Sequence, residues 1–276
     1  MVQIKPLASP TVIRIGAADD PRLAPYVSIR EKDLTGGHHG RFIVEGKVTL
    51  SALIHRSRFA PESVFLAENR LEPLAELLAE LPDNVPVFTA SREIMDQVVG
   101  FPIHRGVLAC ARKGTPLKMD ALLSATQTVL GLMGLSNHDN TGACFRNAAA
   151  FGADALLLDN ESCDPLYRKS IRVSAGTALT LPFVHGPDAN EIFDALSAAG
   201  FTIRCLTPRA DAAPIARLDR PEKLALILGA EGPGLPYALL ARGQAVRIPM
   251  IDGVDSVNVA TAGAIALSSV FQDIPE

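Results

Sequence analysis

Three stretches of this chain carry groups able to do chemistry. The first, Asn137 to Gly152, reads NHDNTGACFRNAAAFG and sets Asn140 six residues before Arg146 in a segment that reads as a helix over 141–151. Arg146 then lies about one and a half turns in, near the helix end that favours anions. Asp139 and Asn140 can equally be plain capping residues, with Arg146 a solvated cation. The second is the run Gly229-Ala230-Glu231-Gly232-Pro233-Gly234-Leu235. Its glycines permit positive φ and a close approach of main chain to ligand. No Lys-Ser/Thr follows, and the spacing does not fit a dinucleotide fingerprint, so a strand-to-helix turn with Glu231 as N-terminal charge also fits. In the third, an apolar run ends at Ile248-Pro249-Met250, and Ser256 and Asn258 open an alanine-rich helix over 257–271. Loops of this kind, taken together, suit a small polar cofactor.

Elements able to position them follow from the apolar pattern. After a polar leader, residues 40–46 start a strand that runs into a helix through Val48, Leu50, Leu53 and Ile54. A strand at 63–66, a Leu/Glu-rich helix over 71–81, a strand at 85–89, a helix over 91–98 and a strand at 107–111 complete a small α/β domain over 1–112. A linker follows over 113–123, marked by Lys113, Gly114 and Pro116. In the second domain, 124–276, strands at 128–135, 155–158, 181–184, 202–206 and 224–228 alternate with helices at 141–151, 165–170 and 189–199. Apolar strands alternating with helices predict a mainly parallel sheet covered on both faces, with ligands beyond the carboxyl ends of its strands.

Composition narrows the class. Of 276 residues, 48% are hydrophobic and 20% charged, enough to bury one large core or two modest ones. No apolar run reaches the roughly 18 residues that a membrane helix needs, and the start, broken by Lys5, Pro6 and Pro10, lacks a signal-peptide core, so a cytoplasmic protein is expected. Cys110, Cys144, Cys163 and Cys205 form no close pair and read as reduced core thiols; neither they nor the histidines suggest a metal. The net charge is -4. Residues 1–113 hold 14 Lys and Arg against 13 Asp and Glu, and residues 114–276 hold 12 against 17, so a polyanion can be bound only through local patches.

In this order and spacing the three stretches resemble the SpoU/TrmH family of knotted RNA ribose 2′-O-methyltransferases. Asn140 and Arg146 fall in its first motif, Gly229 to Leu235 in its second, and Ile248 to Met250 with Ser256 to Asn258 in its third. Phe42-Ile43-Val44-Glu45-Gly46 and His104-Arg105-Gly106-Val107-Leu108-Ala109 resemble the family's substrate-binding domain, and the likeness spans roughly 30–272. The chain departs from the usual pattern at His138-Asp139 (commonly Asp-Pro), at Val257 (typically Leu) and at Arg105 (frequently Gln). None of these removes a functional group.

The resemblance implies a carboxyl-terminal trefoil knot, a homodimer with its active site near the subunit interface, and S-adenosylmethionine as methyl donor to a ribose 2′-hydroxyl in ribosomal or transfer RNA. It implies that Gly229, Gly232, Ile248, Met250 and Val257 hold the cofactor. Asn140, Ser256 and Asn258 would position the ribose, Glu231 would order its loop or meet the cofactor's polar end, and Arg146 would activate the hydroxyl. Arg41, Arg56, Arg58, His104 and Arg105, with Lys47, His38, His39 and His55, are candidates for an RNA-facing surface on the first domain. The competing readings are a non-catalytic RNA-binding or assembly protein that kept the fold, and a dinucleotide oxidoreductase, which the missing glycine fingerprint weakens.

Overall fold

The computed structural model describes residues 11–30, 39–251 and 253–271; Lys5, Pro6, Pro10 and His38 lie outside them. The chain forms two compact units. One runs to Thr115 and adds Leu166–Thr180; the other comprises Pro116–Pro165 and the chain from Leu181 onward.

The first unit is built on a five-stranded sheet of β1 (Val12–Arg14), β2 (Arg41–Glu45), β3 (Ala60–Ala67), β4 (Val87–Ala90) and β5 (Val107–Arg112), in the order β1-β4-β3-β5-β2. β1, β4 and β3 run parallel, and β5 runs antiparallel to both β3 and β2. Residues 11–30 of the expected polar leader are part of the fold. β1 pairs with β4, and Leu23, Tyr26 and Ile29 are fully buried. The Tyr26 hydroxyl accepts from the Cys110 amide at 3.2 Å and lies 2.8 Å from Ser63 Oγ, so its polar tip is satisfied in the core. The helix expected over 71–81 is broken into a short turn at Glu72–Leu74 and a four-residue helix, Ala75–Leu78. Pro73 has no amide hydrogen and disfavours helix in the residue before it.

The segment 166–180, assigned from sequence to the second domain, groups with the first unit. Arg168 in the helix Arg168–Val173 bonds the carboxylate of Glu45, which is 7% exposed, and Arg172 stands 3.8 Å from the same oxygen. A Cβ on Gly176 would come within 2.7 Å of the Ala52 methyl, so only glycine allows the segment to lie this close to the helix Lys47–His55.

The second unit holds a seven-stranded sheet of β6 (Thr128–Leu132), β7 (Ala155–Leu158), β8 (Phe183–His185), β9 (Thr202–Leu206), β10 (Ala213–Pro214), β11 (Leu224–Leu228) and β12 (Gln244–Arg247). The order is β10-β12-β9-β11-β6-β7-β8, and every pairing is parallel. The central strands β6, β11 and β7 are buried along their whole length, as a sheet covered on both faces requires. The helix Ala189–Ala198, held at its start by a reciprocal Asp188–Glu191 capping box, packs Ile192, Phe193 and Leu196 onto one face. The helices His138–Ala150 and Val259–Val270 pack on each other, and the second also lies on β11. A Cβ on Gly263 would meet Leu228 Cδ1 at 2.9 Å, which is how closely that helix approaches the strand.

Candidate cofactor and catalytic site

Because all seven strands of the second unit run the same way, their carboxyl ends share one edge. The turn after β6 is fixed by buried Asp159, which accepts from the amide of Gly134 at 3.0 Å and from Ser162 Oγ at 2.6 Å. The helix after that turn starts at His138, three residues earlier than the apolar spacing predicts, because Asn137 is the cap and accepts from the amide of Asp139 at 2.8 Å. Asp139 and Asn140 are therefore inside the helix. Arg146 becomes its ninth residue, well past the first turn where the helix dipole acts.

After β11, the glycine-rich loop closes on itself through a bridge between Ala230 and Gly234, with the Gly234 amide donating to the Ala230 carbonyl at 3.0 Å. A Cβ at Gly229 would stand 2.4 Å from both the carbonyl carbon of Gly234 and the nitrogen of Leu235. Glycine is thus required there by backbone contact. Gly232 and Gly234 take φ of +87° and +67°.

Asn258 joins the third stretch to the other two. Its Oδ1 caps the helix Val259–Val270 by accepting from the Ala260 amide at 2.9 Å. Its Nδ2 donates to Asn140 Oδ1 at 3.0 Å and to Glu231 Oε1 at 3.1 Å, while Asn140 Nδ2 donates to the same Glu231 oxygen at 2.6 Å. Three side chains up to 118 residues apart form one closed hydrogen-bonded trio.

Beside this trio lies a cavity of about 280 Å³, near the lower end of small-molecule sites. Gly229, Glu231, Gly232, Ile248, Met250, Ser256, Val257 and Asn258, all singled out from sequence, line it. Sequence reasoning missed Leu206, Thr207 and Pro208, which complete the wall. Leu206 is the last residue of β9 and the other two directly follow it, and the rule placing ligands beyond strand carboxyl ends was the signal available for them. Leu206, Leu228 and Val259 offer apolar surface, with Thr207, Glu231, Ser256 and Asn258 as polar groups, a combination that fits a ligand with a flat ring and a charged end.

Arg146 does not line this cavity. Six residues after Asn140, its side chain departs from the helix roughly 120° away from it. It is exposed and has no hydrogen-bond or ion-pair partner among the described residues. Among those residues no group of three or more His, Cys, Asp or Glu could hold a metal ion, and no helix is long and apolar enough to cross a membrane. Cys144, Cys163 and Cys205 are in no disulfide, and burial pushes the Cys144 and Cys205 thiols up to about 12.

The basic residues of the first unit stand in different settings. Arg41 opens β2 and is paired with Glu62, whose other oxygen takes Arg112. Burial would raise the Glu62 carboxyl, but the two arginines outweigh it and hold it below the usual carboxylate range. Arg58 lies over the Phe59 ring at 4.4 Å, and Arg56 is exposed just beyond the helix Lys47–His55. At the far end of β2, Arg105 lies across Gly46, with its Nη1 2.9 Å from where a Cβ would be. Arg92 holds the neighbouring loop by donating to the carbonyls of Ile103 and His104 at 2.6 and 3.0 Å. His39 and Lys47 are exposed, and His55 pairs with Glu80 at 2.8 Å.

A parallel α/β sheet with glycine-rich and amide-bearing loops gathered at its carboxyl edge defines a protein built to hold a small organic ligand there. Residues 127–268 match the SpoU rRNA Methylase family, and the chain belongs to that family of RNA methyltransferases. It is 38% identical to an uncharacterized tRNA/rRNA methyltransferase of Mycobacterium bovis, over 90% of this chain and 88% of the relative. It is 31% identical to the 23S rRNA (guanosine-2′-O-)-methyltransferase RlmB of Acinetobacter baylyi, over 72% of this chain and 83% of that one. The AdoMet-bound rRNA methyltransferase of Sinorhizobium meliloti shares the fold, with a TM-score of 0.78 at 19% identity over 94% of this chain and 97% of the other.

Proposed function

We propose that this chain transfers a methyl group from S-adenosylmethionine to a ribose 2′-hydroxyl of structured ribosomal or transfer RNA, acting as a cytoplasmic homodimer with a carboxyl-terminal trefoil knot. The observation that carries the reading is the trio of Asn140, Glu231 and Asn258 beside a cavity walled by loops from one sheet edge. The relative from Acinetobacter baylyi, a guanosine-2′-O-methyltransferase by name, supports the choice of ribose oxygen.

The cofactor supplies a sulfonium methyl that needs only an in-line nucleophile. Gly229, Gly232, Ile248, Met250 and Val257 hold it through backbone and apolar contact. Glu231 is fixed by two amide donors and orders the glycine-rich loop, while Asn140, Ser256 and Asn258 supply hydrogen bonds to the ribose. Arg146 acts here as a planar cation rather than as a base. It clamps the neighbouring phosphate and stabilises negative charge developing on the ribose oxygen, and the proton leaves to phosphate or water. Because Arg146 points away from the cavity of its own chain, it serves the cavity of a second copy. Exposed Val257 and Ile265, at 37% and 40%, support an apolar contact between copies. The first unit docks RNA through Arg56, Arg58, His104 and Arg105; Arg41, committed to Glu62, contributes least.

Calorimetry with S-adenosylmethionine and with NAD, followed by transfer of labelled methyl into RNA, tests the reading. Binding of S-adenosylmethionine alone and a product resistant to alkaline cleavage at one nucleotide are expected. Binding of NAD in its place, or a methyl group on a base, overturns it. Binding of cofactor with no transfer to any RNA would instead favour a non-catalytic assembly protein.

A further inference from the structure

A second hollow, of about 280 Å³, lies beside the chain segments that wall the cofactor cavity, and Arg209 and Tyr237 stand on its rim. Pro208 and Gly234 both line the cofactor cavity. Arg209 is the next residue after the first, and Tyr237 the third after the second, so neither is more than about 11 Å of chain from that wall. Tyr237 is 77% exposed. A lone exposed ring is ordinary, but this one is held in place. The Arg209 guanidinium lies 5.2 Å from its centroid and is itself gripped by both oxygens of Asp211, at 2.9 and 2.7 Å. Pro236, immediately before the ring's residue, has a fixed φ and limits how far the backbone can swing. Of the other two tyrosines, Tyr26 is buried with its hydroxyl bonded, and Tyr167 lies in the first unit; the chain has no tryptophan.

We propose that Tyr237, steadied by Arg209, is a stacking platform for an unpaired nucleobase of the RNA, beside the site of methyl transfer. The inference rests on the RNA methyltransferase reading above. An exposed aromatic face backed by a cation attracts any base through its π surface, and a base stacked there brings its own ribose within reach of the cavity. A protein partner would use the same ring as an apolar anchor within a wide patch of large apolar side chains; here the rim carries the charged pair Arg209 and Asp211, and beside them only Leu240 and the small side chains Ala212, Ala241 and Ala245.

The test uses the full chain, labelled S-adenosylmethionine, and total RNA from a strain lacking the gene as methyl acceptor. Tyr237→Ala is expected to raise KM for RNA about five- to hundredfold, with S-adenosylmethionine affinity unchanged. Tyr237→Phe keeps the ring and is expected to stay near the parent chain. An alanine variant within twofold of the parent, or a phenylalanine variant as impaired as alanine, overturns the platform. If the parent chain binds the cofactor but methylates no RNA, the functional reading itself fails and takes this inference with it.

Discussion

The two sheets of this molecule place polar residues in opposite ways. In the second unit every strand runs parallel, so the exits of β6, β9, β11 and β12 fall on one edge, and residues as far apart as Asn140 and Asn258 meet. In the first unit the antiparallel strands β2 and β5 send their basic residues to both ends, Arg41 with Arg112 at one and Arg105 at the other. Parallel topology makes one concentrated pocket, whereas mixed topology spreads weak contacts over a surface. The first arrangement suits a compact cofactor and the second a large polyanion.

That contrast can be broken experimentally, most strongly at the concentrated site. Arg146→Ala should lower the methyl-transfer rate about 100-fold or more while calorimetric affinity for S-adenosylmethionine stays within a few fold. Arg146→Lys should fail as well, because it loses the planar fork. Gly229→Ala should weaken the cofactor at least about tenfold, since its methyl would overlap the Gly234–Leu235 backbone; unchanged binding would show that the loop can open. Asn258→Ala removes a helix cap, worth about 1 kcal/mol, which by itself should lower the melting temperature by roughly 2–4 °C in calorimetry, and the loss of two bonds of the trio should add to that shift.

On the dispersed surface the effects should be smaller. Arg105→Ala should reduce the salt slope of RNA binding by about 0.7–0.9, and Arg41→Ala should change it less, because the Arg41 guanidinium is already committed to Glu62. Equal slopes for the two variants would erase the distinction between the ends of β2. Smallest of all, Cys144 and Cys205 should resist alkylation in the native chain at pH 8, where thiols held to about 12 stay protonated, and half-buried Cys163 should react first by mass spectrometry.

How far these features could be read from sequence depends on the range of the interaction behind them. The apolar run 224–228 coincides with β11, because a strand buried on both faces leaves an unbroken hydrophobic signature, and 202–206 coincides with β9 although Thr202 and Arg204 interrupt its apolar pattern. Local chemistry misled at the start of the helix His138–Ala150, where Asn137, two residues before Asp139 and three before Asn140, took the capping role expected of those two. β1 was invisible because three residues between Pro10 and Gly16 carry no period. The grouping of 166–180 with the first unit depends on a buried Glu45 more than a hundred residues away, which no window along the chain can contain. The three motif stretches were legible, yet the direction in which Arg146 points was not, because it follows from where the helix begins.

The bond between Asn258 and Asn140 also sets a schedule. The ribosome makes Asn140 first and needs 118 further residues before its partner exists, roughly 6–24 s at about 5–20 residues per second. Until then the pocket lacks a wall, so methyl donor cannot assist the nascent polypeptide, and the parallel sheet must assemble on strand pairing and apolar burial without it.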